Sequence, residues 1–186
     1  MLASLVQTLF IKERRACMIA KPFIKRLEQI LGKDHVMTEK ADRICYSYDA
    51  TQRQFLPDVV VHPGNTEEVS LIMKMANAER VPVFPRGAGS GFTGGSLPTE
   101  GGIVLAMTRL DRILQIDEDN LVATVEPGVV TEQFQIAVQK VGLFYPPDPA
   151  SLKFSTLGGN VAECAGGPRC VKYGVTKDYI LGLEVV

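Results

Sequence analysis

The chain has 186 residues, 46% of them hydrophobic, with a formal net charge of −1. That length is enough for one domain or two small ones with a real core, and the near-zero charge argues against a nucleic-acid partner, which leaves a basic footprint. No apolar run reaches the ~20 residues that a membrane-crossing helix needs. The four cysteines, Cys17, Cys45, Cys164 and Cys170, have no metal-ligand spacing, so no metal is expected, and reduced thiols of a cytoplasmic protein are the simpler reading.

The apolar start, Met1 to Ile11, is followed by Lys12, Glu13, Arg14 and Arg15. A secretory signal places its basic residues first, so the segment reads as a loosely attached extension, with Met18 as a candidate natural start. Pro22 suits a first helical turn. Phe23, Ile24, Leu27, Ile30 and Leu31 recur at helical spacing, and Gly32 is placed to stop the helix. Val36 to Leu56, with Tyr46-Ser47-Tyr48-Asp49, has weak periodicity and reads as an irregular wrap. Val59–Val61 is a short β-branched strand. Asn65, with Glu68 three residues on, predicts a capped helix start. Val69, Ile72, Met73 and Ala76 form its apolar stripe, and fraying is expected near Asn77 to Arg80.

Next come a strand over Val81–Phe84, a glycine-rich loop over Pro85–Ser96 and a strand over Ile103–Met107. Ile113–Ile116 and Leu121–Glu126 flank turn-forming residues and predict a hairpin. Thr131 is the expected cap of a helix in which Phe134, Ala137, Val138 and Val141 share a face, closed by Gly142. Three prolines keep Phe144–Ser151 out of helix and central strand. A second glycine region spans Ser155–Pro168. Tyr179–Val186 reads as the start of a strand, cut off by the chain end, so the chain is expected to be the front part of something longer. Helices and strands mix in an α+β pattern.

The loop Pro85–Ser96 holds five of the seventeen glycines. Glycines so dense let backbone N–H groups turn to one point without a Cβ in the way, and such a concave run of amides attracts an anion. A Walker A loop is excluded because Gly94-Gly95-Ser96 has no lysine. Gly89-Ser90-Gly91-Phe92-Thr93-Gly94 spells G-x-G-x-x-G, and Asp111 lies about twenty residues on, as the dinucleotide fingerprint requires. That fingerprint must open a helix. Here a strand follows after Gly95 to Gly102, so the Rossmann reading is rejected. What remains is a phosphate cradle between two strands, with Arg86, Ser90 and Thr93 as candidate side-chain contacts. For Arg86 the alternative is a solvated surface charge. Two glycine regions on one small domain point to a long ligand such as a dinucleotide.

Arg86-Gly87-Ala88-Gly89-Ser90, taken with Pro147-Asp148-Pro149-Ala150-Ser151 and Thr156-Leu157-Gly158-Gly159-Asn160-Val161-Ala162, resembles the FAD-linked oxidases of the vanillyl-alcohol-oxidase (PCMH) type. Within them it is most similar to the branch of glycolate oxidase FAD subunits and D-lactate dehydrogenases. The match runs from about Tyr46 to the end. The resemblance implies an FAD-binding domain of two α/β subdomains. Residues 1–45 form an extension and helix, 46–126 the first subdomain and 127–186 an incomplete second one, with the substrate domain absent. Arg86, Gly87, Ala88, Gly89, Ser90, Gly91, Thr93 and Gly94 would hold the pyrophosphate. Asp148, Ser151, Thr156, Gly158, Gly159, Asn160, Ala165 and Gly167 match positions that touch the rest of the cofactor.

In the family the catalytic histidines lie downstream of this chain, so no catalytic residue is assigned. Some relatives attach FAD through a histidine of the first loop. This loop has none, and His35 and His62 fall outside the matched loops, so FAD is expected to be non-covalent. The implied activity is oxidation of a small 2-hydroxy acid, glycolate or D-lactate, with an electron-accepting partner subunit or membrane carrier, or oxygen. The enzyme is expected in the cytoplasm, with membrane association only through partners. The alternatives are an FAD-linked oxidase of a sugar lactone, a cell-wall amino sugar or an ether-lipid precursor, and a catalytically inactive nucleotide-binding or assembly fragment.

Overall fold

The computed structural model describes residues 19–186. The expected N-terminal extension and Cys17 therefore lie outside the described residues, apart from its last two positions. Helix α1 (Lys21–Leu31) carries Pro22 in its first turn and stops at Gly32. Phe23, Leu27 and Leu31, spaced by four, lie on one face and are buried. They pack with Ile72 and Ala76 of α3 (Thr66–Glu79) against Val59 and Val61 of β2 (Val59–Val61) and against Ile103 and Leu105 of β4 (Ile103–Ala106). Burial of a large apolar side chain contributes about 1.5–3 kcal/mol, so α1 is part of the core rather than an appendage to it.

Four strands form a sheet in the order β1-β2-β4-β3, where β1 is Val36–Met37 and β3 is Val83–Arg86. β2 and β3 both run parallel to β4, and β1 is antiparallel to β2. β2 and β4 are buried along their whole length, as central parallel strands covered on both faces must be. Val60, Val104 and Ala106 face the other side, where Met37, Tyr46 and Phe84 cover them. The segment expected to be an irregular wrap is thus this sheet's second cover. It also supplies β1 and a short helix α2 (Lys40–Ile44), which its weak periodicity hides.

A second core lies around Val129, Phe134, Val138 and Leu157. The hairpin of β5 (Ile113–Asp117) and β6 (Val122–Val125) packs on it through Ile113, Ile116, Ala123 and Val125. Its other walls are α4 (Thr131–Lys140) and α5 (Leu157–Glu163). Packing therefore groups the hairpin with the second unit. A boundary at Glu126, as read from the sequence, separates the hairpin from the helices it packs on. A short helix α6 (Cys170–Tyr173) follows.

Several local expectations change. Asn65 caps α3 by accepting from Glu68 N at 2.8 Å, but the Glu68 carboxylate reaches back to Gly64 N and to the Asn65 side-chain amide rather than to the cap residue's backbone N–H. α3 holds to Glu79 and ends on Arg80 in the left-handed region, φ 54°, instead of fraying at Asn77. β3 lies two residues later than expected, because Val81 N is used to close the helix on Ala76 O. Val130, not Thr131, is the cap residue of α4. The Thr131 hydroxyl instead donates to Ser155 O at 2.9 Å. The second glycine region is not a loop throughout, since Gly158 and Gly159 lie inside α5. Residues 180–186 form no strand among the described residues, for want of a neighbour to pair with. No helix of the described residues is long and apolar enough to cross a membrane.

Candidate functional site

β3 and β4 are parallel neighbours, so the chain leaving Arg86 must return along the full strand length before Ile103. Such a return is usually a helix. Here it is the glycine-rich segment, which contains no helix; the rejection of a Rossmann loop stands. The segment departs from the carboxyl end of β3, the end where open α/β sheets bind ligands.

The second glycine region meets it there. A Cβ at Gly87 would fall on Thr156 Oγ1, so the loop and the start of α5 touch with nothing between them. Thr156 caps α5, accepting from Gly159 N at 3.3 Å. At the other end of α5, Thr93 donates its hydroxyl to Glu163 Oε1 at 2.8 Å. Between the two segments lies a cleft of about 190 Å³. That is smaller than the ~300–1,000 Å³ of a pocket for a whole small-molecule ligand, and suits the phosphate portion of one.

Eleven expected residues line the cleft: Gly87, Ala88, Gly89, Ser90, Gly91, Thr93, Ser151, Thr156, Gly159, Asn160 and Ala165. The sequence reading missed Asp49, Pro85, Gly95, Ser96, Ser155, Ala162 and Glu163. Gly95 and Ser96 belonged to the quoted loop, and Ser155, Ala162 and Glu163 lie inside the second motif. Asp49 comes from the wrap, and nothing in its local pattern marks it. Its carboxylate accepts from Thr51 N at 2.8 Å and from the Thr51 hydroxyl at 2.6 Å.

Five expected residues lie outside the lining. Gly94 sits at φ 80° in the turn beyond it. Gly158 lets α5 approach Pro127, which a Cβ would strike at 2.5 Å. Asp148 is engaged by Arg169, accepting from its backbone N at 3.1 Å and pairing with its guanidinium at 3.3 Å. Gly167 packs on the Asp148 backbone with no room for a side chain. Arg86 is 6% exposed, which rules out the surface-charge alternative, and it lies beneath the loop rather than in the cleft. Burial pushes its pKa below the ordinary arginine range, opposed by Asp49, Tyr46 and Tyr48.

The chemistry of the cleft follows from what lines it. Among the described residues no lysine or arginine does. Hydroxyls and backbone amides supply the donors, and Asp49 and Glu163 supply the charge. Beneath, a buried network locks the second segment: Asn160 Nδ2 donates to Thr131 Oγ1 at 2.7 Å, and Thr131 Oγ1 meets Ser155 Oγ at 2.9 Å. No group of three or more potential metal ligands forms among the described residues. Glycines that leave no space for a Cβ, and a buried cation with an unsatisfied nitrogen under them, fit a diphosphate.

Residues 57–186 match the family model described as FAD binding domain. The chain is 52% identical over 170 residues to the glycolate oxidase subunit GlcD of Bacillus subtilis (strain 168), covering 91% of this chain and 36% of that protein. It is 44% identical over 146 residues to a D-lactate dehydrogenase of Archaeoglobus fulgidus, covering 76% and 32%. Among solved structures, an alkyldihydroxyacetonephosphate synthase superposes with a TM-score of 0.80 at 26% identity, over 88% of this chain and 32% of that one. p-Cresol methylhydroxylase superposes with a TM-score of 0.68 over 77% and 29%; at 22% identity this likeness shows the fold alone, the PCMH-type fold expected. The chain spans about a third of the length of the curated relatives it matches.

Proposed function

The chain belongs to the FAD-binding domain family, and on that premise we propose that it is the FAD-binding portion of a flavin-dependent 2-hydroxy-acid oxidoreductase. The observation that carries this is the cleft itself, where two glycine segments some sixty residues apart meet and line one space with glycines and hydroxyl-bearing residues. The relatives named glycolate oxidase subunit and D-lactate dehydrogenase support a small 2-hydroxy acid as substrate.

Bound FAD supplies the capacity to accept a hydride from the substrate's α-carbon. This chain's residues bind and orient. The amides of Gly87–Gly91 and the hydroxyl of Ser90 hold the diphosphate, Thr93 ties the loop to Glu163 of α5, and Thr156, Gly159 and Asn160 fix the opposite wall. No residue of this chain is assigned to proton transfer. FAD is held without a covalent bond. The glycine loop has no histidine, and His62 is buried against Thr108 and Tyr46 outside the cleft. A partner subunit or membrane carrier takes the electrons in a dehydrogenase, and oxygen does in an oxidase. The cytoplasm is the location that reduced thiols favour, with membrane association through such a partner.

The purified chain, incubated with FAD and freed of excess by gel filtration, is expected to show flavin bands in the near-ultraviolet and blue. A colourless protein overturns the reading and leaves the inactive-fragment alternative. Acid precipitation is expected to release all the colour; flavin retained in the pellet contradicts non-covalent binding. A second substrate class has one observation in its favour, the superposition on an alkyldihydroxyacetonephosphate synthase, and substrate-dependent bleaching of the complete flavoprotein separates the two.

A further inference from the structure

Arg86 is the last residue of β3, paired with Ala106 of β4, and its side chain is enclosed. Nη1 has no hydrogen-bond partner, and Arg86 forms no ion pair among the described residues. On one side the guanidinium faces the Tyr46 ring at 5.8 Å from its centroid. On the other it lies against the loop. Gly89, at φ 67°, passes so close that a Cβ there would fall on Arg86 Nη2. Gly89 also lines the cleft, so the cation and the cleft are separated by the thickness of one backbone.

A buried charge with no hydrogen-bonded or ion-paired partner is unfavourable for the fold taken alone. The Tyr46 ring and the charge of Asp49 offset part of that cost, but among the described residues the guanidinium makes no hydrogen bond that would offset the rest. The arrangement becomes favourable once an anion lies on the far side of Gly89, one backbone's thickness from the guanidinium. We propose that Arg86 is a positioning residue for the cofactor's diphosphate: it acts across the Gly87–Gly91 backbone, holding the loop's amides and adding positive potential at the cleft floor without touching the ligand. This rests on the FAD reading of the cleft and assigns Arg86 a different part in it from direct contact.

The test compares Arg86→Met, which removes the charge and keeps much of the volume, with Arg86→Lys, which keeps the charge, in the full 186-residue chain. FAD affinity is followed by flavin fluorescence over a range of salt concentrations, and thermal unfolding is followed without ligand. Arg86→Met is expected to weaken FAD binding by about tenfold or more, as loss of a charge-assisted interaction does. It should also flatten the dependence on salt and leave the ligand-free Tm unchanged or higher. Arg86→Lys is expected to stay within about threefold of the parent. Equal affinity in Arg86→Met overturns the proposal. So does a loss in Arg86→Lys as large as that in Arg86→Met, or a clear drop in the ligand-free Tm of Arg86→Met, since either makes the residue a shape support only. A parent chain that takes up no FAD removes the cleft reading itself, and the proposal with it.

Discussion

Two residues show how closely the site is tied to single atoms. Gly89 sits at φ 67° directly over the Arg86 guanidinium. Gly89→Ala introduces both left-handed strain and a clash, and is expected to lower unfolding stability by about 1–3 kcal/mol and to weaken FAD capture sharply. Urea unfolding and flavin fluorescence measure the two; FAD binding unchanged within error contradicts the close approach. Asn160 lines the cleft, yet its Nδ2 is committed to Thr131 Oγ1 at 2.7 Å. Asn160→Ala leaves Thr131 without that donor and is expected to cost about 1–3 kcal/mol of stability, visible without any cofactor. A variant that unfolds at the parent's urea midpoint, with only its FAD affinity changed, shows the residue to be a ligand contact alone.

At the scale of elements, α1 and α3 cover one face of the sheet that carries the loop. Leu27 is fully buried between α1 and the sheet. Leu27→Ala is therefore expected to cost about 2–5 kcal/mol, although α1 precedes the region that resembles the family; a loss well below that range argues that α1 is dispensable. Asn65→Ala removes the α3 cap and is expected to cost about 1 kcal/mol by the same measurement. α5 is one of the elements sequence reasoning missed. Leu157-Gly158-Gly159-Asn160 contains two poor helix formers, so its local propensity favours a turn. Thr156 capping, Leu157 burial and the fit of Gly158 against Pro127 override it.

For the whole molecule, pH acts through a buried histidine. His62 has its pKa lowered, first by burial and then by the charges of His35 and Arg109. It is packed against Tyr46, with Nδ1 at 2.9 Å from Thr108 Oγ1 and Nε2 without a partner. The fold thus keeps it neutral, while the unfolded chain takes up a proton below the ordinary histidine value of about 6.5. The unfolded state then binds more protons, so this contribution to stability is full above that pH and is lost as pH falls through it. Urea midpoints at pH 7.5 and 5.5 are expected to show a drop that His62→Gln reduces. An equal drop in both proteins assigns the pH dependence elsewhere.

Much of this protein is readable without coordinates. Apolar spacing defines α1, α3 and α4, β-branched runs define β2 and β4, and dense glycine with a following strand marks a loop that is not a Rossmann loop. Each of these is a local property, set by backbone freedom or by the period of apolar residues over a few turns. The tertiary structure alone decided that the two glycine regions share one cleft, that Asp49 of the wrap reaches it, and that the hairpin packs with α4 and α5. It also turned Arg86 from a candidate contact into a buried cation beneath the loop. Those outcomes depend on which distant segments exclude water together, and no window of the sequence contains both sides of such a contact.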